Sequence, residues 1–321
     1  MRLKFINYPK YTPLDEYDKL TAKIAKQLID LDEVVSVYRM GSIKNPGISD
    51  LDIVCVFKDE SKCMLDVRNG LNTVEKNILT HGSFGINEGN IEQSLKFNFL
   101  TNLKLLEGKD LNVLKNPDIN MDGWVKHQIA LEFLLKMYIT LDIQIAYGII
   151  KLRSFLLQGK ALIFDLELLN IHSGELYDIV NQIIKMRNNW FELAPSIQEL
   201  DTMVRTFHKS LGELLKNQFA KEKFQLPSSF ISVTRNISIQ KNPSFYKKQI
   251  GFTLPPQFSF LGKKYVNVQN RFNKFIYKVN FNLPSSNSEQ DQRFLFYKNL
   301  VEINRRDMPN FIPLTTSLSL Y

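Results

Sequence analysis

The sequence predicts an α+β protein with three parts: a small domain with a mixed sheet, a helical bundle domain, and a C-terminal extension rich in basic and aromatic residues. Short apolar runs at residues 34–38 and 51–57 predict neighbouring strands. Apolar residues spaced by four over 124–157 predict bundle helices. From residue 224 onward the chain carries thirteen Lys and Arg against four Asp and Glu, with seventeen of its 37 aromatic residues. We place the three parts at residues 1–118, 119–223 and 224–321.

The composition is that of an ordinary globular protein. Of the 321 residues, 44% are hydrophobic and 23% are charged. The N-terminal segment lacks the long apolar run of a signal peptide, and no uncharged stretch approaches the ~20 apolar residues of a membrane span. Two cysteines, Cys55 and Cys63, do not support a disulfide framework or a zinc site. We therefore expect a cytoplasmic protein without a membrane span.

The first part alternates helical and strand patterns. Apolar residues at helical spacing predict a helix over 12–32, ahead of the strands at 34–38 and 51–57. The second strand is an almost continuous apolar run, which suits a sheet covered on one or both faces. Residues 60–79 are predicted to be helical, and residues 79–86 to form a third strand.

The second part begins after a turn-rich segment at 116–123. Periodicity predicts helices over 124–157, 174–193 and 196–221, the last opened by a capping box at Ser196. The apolar stripe of the first of these helices is typical of bundle core rather than of a cofactor pocket.

The third part is punctuated by prolines. Residues 228–239 and 265–282 alternate in part like strands, and residues 289–306 predict a helix. Basic residues interleaved with aromatics can bind single-stranded nucleic acid, and they can equally bind an anionic small molecule or a lipid head group. An aromatic core solvated by lysines gives the same composition, so RNA is one partner among several that this part allows.

Two carboxylates open the second predicted strand. Gly41 and Ser42 follow the first strand, and Asp50 and Asp52 come seven residues later. Alternate residues of a strand point the same way, so the two carboxylates are expected to share one face. Their repulsion is relieved by a hard cation such as Mg²⁺. Because glycine lets a backbone approach a ligand and a serine hydroxyl can bind phosphate, the pattern predicts two-metal phosphoryl or nucleotidyl transfer.

This arrangement resembles the nucleotidyltransferase superfamily typified by DNA polymerase beta. Its members share a Gly-Ser or Gly-Gly pair, a short loop, and Asp-x-Asp at the start of the next strand. The resemblance implies that Gly41 and Ser42 bind the triphosphate of an NTP donor. It also implies that Asp50 and Asp52 are catalytic and hold Mg²⁺ or Mn²⁺.

Members of this superfamily usually carry a third carboxylate on or near the third strand. The predicted third strand of this chain has none. Glu88 is the nearest candidate, with Glu92 behind it, and we assign Glu88 as the third catalytic residue. His81, at the start of the strand, is either a general base or a structural residue.

The resemblance implies a Mg²⁺-dependent enzyme that moves a nucleoside monophosphate from an NTP to a hydroxyl of a small-molecule or sugar-type acceptor and releases pyrophosphate. Two alternatives stay open. The basic C-terminal third favours transfer to RNA 3′ ends. The missing strand carboxylate favours a non-catalytic nucleotide-binding or regulatory protein with a degenerate fold. A hairpin with an acidic turn would account for Asp50 and Asp52 without any ligand.

Overall fold

The computed structural model describes residues 2–98, 102–111, 122–193 and 195–315. The chain divides into two compact units, each built from segments that are distant in sequence. Among the described residues, 2–9 and 123–291 form the first unit, whereas 10–122 and 292–315 form the second.

Eleven strands and nine α-helices are present in the described residues. The strands are β1 (Lys4–Ile6), β2 (Val34–Met40), β3 (Asp52–Phe57), β4 (Phe84–Asn87), β5 (Leu103–Gly108), β6 (Ile149–Lys151), β7 (Phe230–Thr234), β8 (Ile237–Lys241), β9 (Tyr246–Gly251), β10 (Asn273–Val279) and β11 (Ile312–Pro313). The helices are α1 (Leu14–Ile29), α2 (Thr73–Ile78), α3 (Ile91–Phe97), α4 (Gly123–Ala146), α5 (Leu152–Leu168), α6 (Glu175–Asn188), α7 (Ile197–Phe219), α8 (Lys263–Phe272) and α9 (Glu289–Asp307). The predicted α+β class with mixed sheets is confirmed.

The second unit is built on a five-stranded mixed sheet with the order β11-β4-β3-β2-β5. Strand β2 runs antiparallel to both β3 and β5, whereas β4 is parallel to β3 and to β11. The central strand β3 is apolar on both sides because both of its faces are buried. Ile53, Cys55 and Phe57 pack in one core with the apolar face of α1, and Val54 and Val56 pack in a second core with α9.

Strand β5 approaches its neighbour so closely that only glycine fits at its end. Gly108 has a φ of 90°, and a Cβ added there would lie 2.4 Å from the Val35 carbonyl oxygen and 2.8 Å from Ile29 Cδ1. We expect Gly108→Ala to destabilise the sheet by at least about 2 kcal/mol, because left-handed strain and overpacking each cost about 1–3 kcal/mol. Amide hydrogen exchange of peptides from β2 and β5 measures this loss.

A second glycine provides the control for this substitution. Gly70 has a φ of 80°, but a Cβ added there would meet no atom within 4 Å. Gly70→Ala therefore carries the conformational cost without the clash, and it should leave the exchange of β2 and β5 nearly unchanged. If the amides of β2 and β5 exchanged equally slowly in Gly108→Ala and in the wild type, the backbone at Gly108 and Val35 would be able to move apart without loss of stability.

The first unit combines a helical bundle with a four-stranded sheet. In the bundle, formed by α4 to α7, each helix contacts two of the other three. The sheet has the order β7-β8-β10-β9. The short strand β1 pairs in parallel with β6, which follows the end of α4.

A buried charge network links this bundle to this sheet. The Asp142 carboxylate, only 5% exposed, lies 2.9 Å from Lys247 Nζ and 3.2 Å from His208 Nε2. It also accepts a 2.7 Å hydrogen bond from the Tyr277 hydroxyl. The ring of Tyr138 stacks on His208 at 4.8 Å between centroids. Burial by itself raises the pKa of the Asp142 carboxyl. Its three partners, His208, Lys247 and Tyr277, lower the pKa by a larger amount, so the pKa lies below its ordinary value.

Two predictions about secondary structure are corrected. Residues 60–79 are not one helix: α2 covers only Thr73–Ile78, because the Asn72 side chain caps its start. The segment predicted as one helix over 124–157 is divided into α4, β6 and α5. Of the part predicted at 224–321, strands β7 to β10 lie in the first unit, and residues 292–315 with β11 lie in the second.

Candidate functional site

The end of the central hairpin of the second unit carries the motif singled out in the sequence. Met40, the last residue of β2, pairs with Asp52, the first residue of β3. The chain leaves β2 through Gly41, whose φ is 74°. The connecting loop is held by the buried Tyr17, whose hydroxyl donates to the Ser49 carbonyl at 2.7 Å and accepts from the Gly47 amide at 2.9 Å. A buried anchor of this kind fixes the loop against the core.

Asp50, Asp52 and His81 meet at this end of the sheet. One ligand atom from each of the three side chains can be chosen so that all lie within 4.8 Å of one another. His81 Nε2 is 3.0 Å from Asp52 Oδ1 and 4.0 Å from Asp50 Oδ2. Thr80 donates its hydroxyl to Asp50 Oδ2 at 3.2 Å. Asp50 lies ahead of β3 rather than within it, so the two carboxylates converge through the loop and not by strand alternation.

The hydrogen bonds of His81 define the state of its ring. Its Nδ1 lies 2.8 Å from the Gly82 carbonyl oxygen, which can only accept, so Nδ1 carries a proton. Its Nε2 lies 3.0 Å from the Asp52 carboxylate, which as an anion can only accept a hydrogen bond. The hydrogen bond to Asp52 raises the pKa of His81, and this effect outweighs the opposing effect of burial. Without a metal, an imidazolium at this position is the counter-ion of the two carboxylates.

The same three side chains fit a divalent cation. A histidine that binds a metal through one ring nitrogen typically donates the other N–H to a backbone carbonyl or a carboxylate, and His81 Nδ1 is placed to do so with Gly82. With Nε2 deprotonated, its lone pair points toward the carboxylates, an unfavourable arrangement that a cation between them would relieve. Two carboxylate oxygens suit Mg²⁺ or Mn²⁺, and the imidazole favours a transition ion.

The predicted phosphate-binding pair lies beside this cluster. Gly41 directly follows Met40, the partner of Asp52, and its amide donates to the Asn102 carbonyl at 3.2 Å. Ser42 is exposed. A Cβ at Gly41 would meet nothing within 4 Å, so this glycine is required for its positive φ and not for space.

The structure does not bring Glu88 to the site. Glu88 follows Asn87, which pairs with Phe57 at the opposite end of β3 from Asp52. The two ends of β3 are five residue steps apart, which is about 17 Å. Glu88 instead forms an ion pair with Lys109 at 2.9 Å. Because β4 is parallel to β3, Glu88 lies at the far end of β3 from Asp50 and Asp52, and the structure does not place it beside them as the sequence analysis assigned.

Glu92 also lies beyond that far end of β4, in the first turn of α3. The residue that takes the third position is His81, which the sequence left open between a base and a structural role. Thr80 was missed altogether. Both lie just ahead of β4, the strand parallel to β3, and this connection places them beside the start of β3.

The comparison with protein-family models finds no match, and the comparison with curated proteins finds none either. In the described part of the chain, no helix is both long enough and apolar enough to span a membrane. Conclusions about function therefore depend on the residues of the site itself.

Proposed function

We propose that this protein is a divalent-metal-dependent nucleotidyltransferase that moves a nucleoside monophosphate from an NTP to a hydroxyl of a small-molecule or sugar-type acceptor. The observation that carries the proposal is the cluster of Asp50, Asp52 and His81 at the strand end from which Gly41 and Ser42 depart. Carboxylates that can hold a cation beside an exposed Gly-Ser turn are the parts that transfer from a triphosphate requires.

Each side chain has a role in this proposal. Asp50 and Asp52 each offer a carboxylate oxygen to the cation, and His81 offers Nε2. The cation, when bound, supplies charge neutralisation on the attacking and leaving oxygens of the transferred phosphoryl group. Ser42 donates its hydroxyl to a phosphate oxygen of the donor. Thr80 orients Asp50 through its hydrogen bond.

The acceptor hydroxyl must lose its proton as it attacks the α-phosphorus. Glu88 cannot take this proton at a distance of about 17 Å along the strand. The second oxygen of each clustered carboxylate is a proton acceptor at the site, and we assign the role of base to one of these two aspartates.

Calorimetric titration with ATP, GTP, CTP and UTP, each with Mg²⁺ or Mn²⁺, tests the proposal. We expect at least one triphosphate to bind only when a divalent ion is present, and pyrophosphate to be released when hydroxylated acceptors are added. Failure of all four to bind with either ion would overturn it. Metal-dependent binding without turnover would favour the non-catalytic alternative that the missing carboxylate suggested.

Two substitutions compare the alternative third residues of the site. His81→Ala should weaken Mn²⁺ binding by at least roughly 10- to 100-fold, since it removes a ligand and the loss of a group that only supports a ligand already costs that much. Glu88→Gln should leave it unchanged, since Glu88 pairs with Lys109 at the other end of β3. Titration of Mn²⁺ followed by electron paramagnetic resonance measures both. The reverse pattern would restore the original assignment of Glu88.

A further inference from the structure

The four-stranded sheet of the first unit has two chemically different faces. Along β10 the side chains alternate between buried and accessible, as a sheet with one solvated face requires. One face is apolar and packed in the interior, with Ile231, Ile239, Phe275, Tyr277 and Val279 at 5% exposure or less. The side chains of the other face are exposed or half-buried.

The strand register assembles the accessible face into rows. In an aligned sheet, paired residues present their side chains on the same face. The first row crosses all four strands as Phe230, Gln240, Lys278 and Tyr246. The second row consists of Ser232, Ser238, Ile276 and Lys248. A shorter third row pairs Lys274 with Ile250.

The charge of this face has one sign. Residues 223–288 contain ten Lys and Arg and no Asp or Glu. Lys248 and Lys274 are exposed, and within the described part of the chain neither has a carboxylate partner. Lys247, which points to the opposite face, is the lysine of β9 that pairs with Asp142. A surface with unpaired cations and no anions in its own segment attracts polyanions.

The two aromatic residues of the first row are exposed at opposite edges of the sheet. Phe230 is 54% exposed on β7, and Tyr246 is 48% exposed on β9. Three strand spacings separate them, which is about 14 Å. Gln240 and Lys278 lie between them in the first row, and Ser232 and Ser238 lie in the second. Exposed rings on which bases can stack, with lysines placed for phosphates, form the two components of a surface for single-stranded nucleic acid.

We propose that this face, defined by Phe230, Tyr246, Lys248 and Lys274, binds single-stranded nucleic acid. A lipid surface shares the attraction to lysine, but the serine and glutamine side chains of the two rows offer hydrogen-bond partners that bases can use and acyl chains cannot. The proposal depends on the sheet of the first unit alone and does not require the metal cluster to be active.

Fluorescence anisotropy of the full chain with a labelled oligo(U) dodecamer, across 50–300 mM KCl, tests this proposal. Lys248→Gln/Lys274→Gln should weaken binding at least fivefold at 50 mM KCl. It should also reduce the slope of log K against log salt by about 1.4, since each lost single-strand phosphate contact accounts for about 0.7. Phe230→Ala and Tyr246→Ala should each weaken binding by about tenfold with the slope unchanged.

The matched control removes the same charge elsewhere in the same unit. Lys185 on α6 and Lys216 on α7 are exposed lysines of the helical bundle and are not part of the sheet. Lys185→Gln/Lys216→Gln should bind the dodecamer within twofold of the wild type. Equal losses in both double variants would overturn the proposal, because they would show attraction by net charge only.

Two further measurements complete the test. Binding to vesicles containing phosphatidylserine without binding to the dodecamer would also overturn the proposal and assign the face to a membrane. Asp50→Asn/Asp52→Asn should retain full affinity for the dodecamer. Failure of nucleotidyl transfer and failure of nucleic acid binding are thus distinguishable.

Discussion

Replacing Asp52 by Asn should abolish metal-dependent triphosphate binding and reduce any transfer by about 10³-fold. The substitution keeps the shape of the side chain but removes one of the two negative charges that face the cation position. A bound ion contributes several kcal/mol to transition-state stabilisation, and about 4 kcal/mol corresponds to the expected factor. Calorimetry with the triphosphate preferred by the wild type measures the loss of binding, and pyrophosphate release measures the loss of transfer.

The fold should survive this substitution. The Asp52 side chain is 29% exposed, and removing its charge relieves repulsion with Asp50 at the cost of the ion pair with His81. Glu107→Gln provides the control, since it removes a carboxylate from the exposed end of β5 in the same sheet. Its binding and turnover should match the wild type. Turnover at the wild-type rate in Asp52→Asn would refute the proposed function.

The parts of the site that are close in sequence could be predicted from it. Strands β2 and β3 are joined by one loop, so their apolar runs, the turn at Gly41 and the carboxylates at its end are all visible within about twenty residues. The continuous apolar run of β3 predicted a sheet covered on one or both faces, and the structure buries both.

The parts that depend on distant pairing could not be predicted. Whether Glu88 or His81 joins the aspartates depends on the direction of β4, and the sequence of a strand does not specify whether it pairs parallel or antiparallel. The pairing of β11 with β4 joins residues more than 200 positions apart, as does the packing of α9 on the sheet. For the same reason the strands of residues 230–279 were not recognised as partners of the bundle in one unit.

The largest effect on stability is expected at Asp142. In the sequence this residue is a single charge within an apolar helix, and its partners are not apparent. Asp142→Asn should destabilise the first unit by about 3 kcal/mol at pH 7, because it leaves Lys247 partly buried without its counter-ion. Both tryptophans, Trp124 and Trp190, lie in this unit, so urea unfolding followed by tryptophan fluorescence reports on it. Glu213→Gln removes an exposed ion pair of α7 with Lys209, and it should cost no more than about 1 kcal/mol.

The pH dependence of this difference separates charge from packing. The pKa of Asp142 is lowered in the folded state, so its stabilising contribution is fully present above the unfolded pKa of about 3.9 and is lost as the pH falls through the folded value. The advantage of the wild type over Asp142→Asn should therefore begin to fall below about pH 4 and vanish only below the lowered folded pKa of Asp142, where both side chains are neutral. Unfolding curves collected from pH 7 to pH 3 test this. A difference that stayed constant over that range would show that Asp142 stabilises the unit through shape and hydrogen bonding, with no net contribution from its charge.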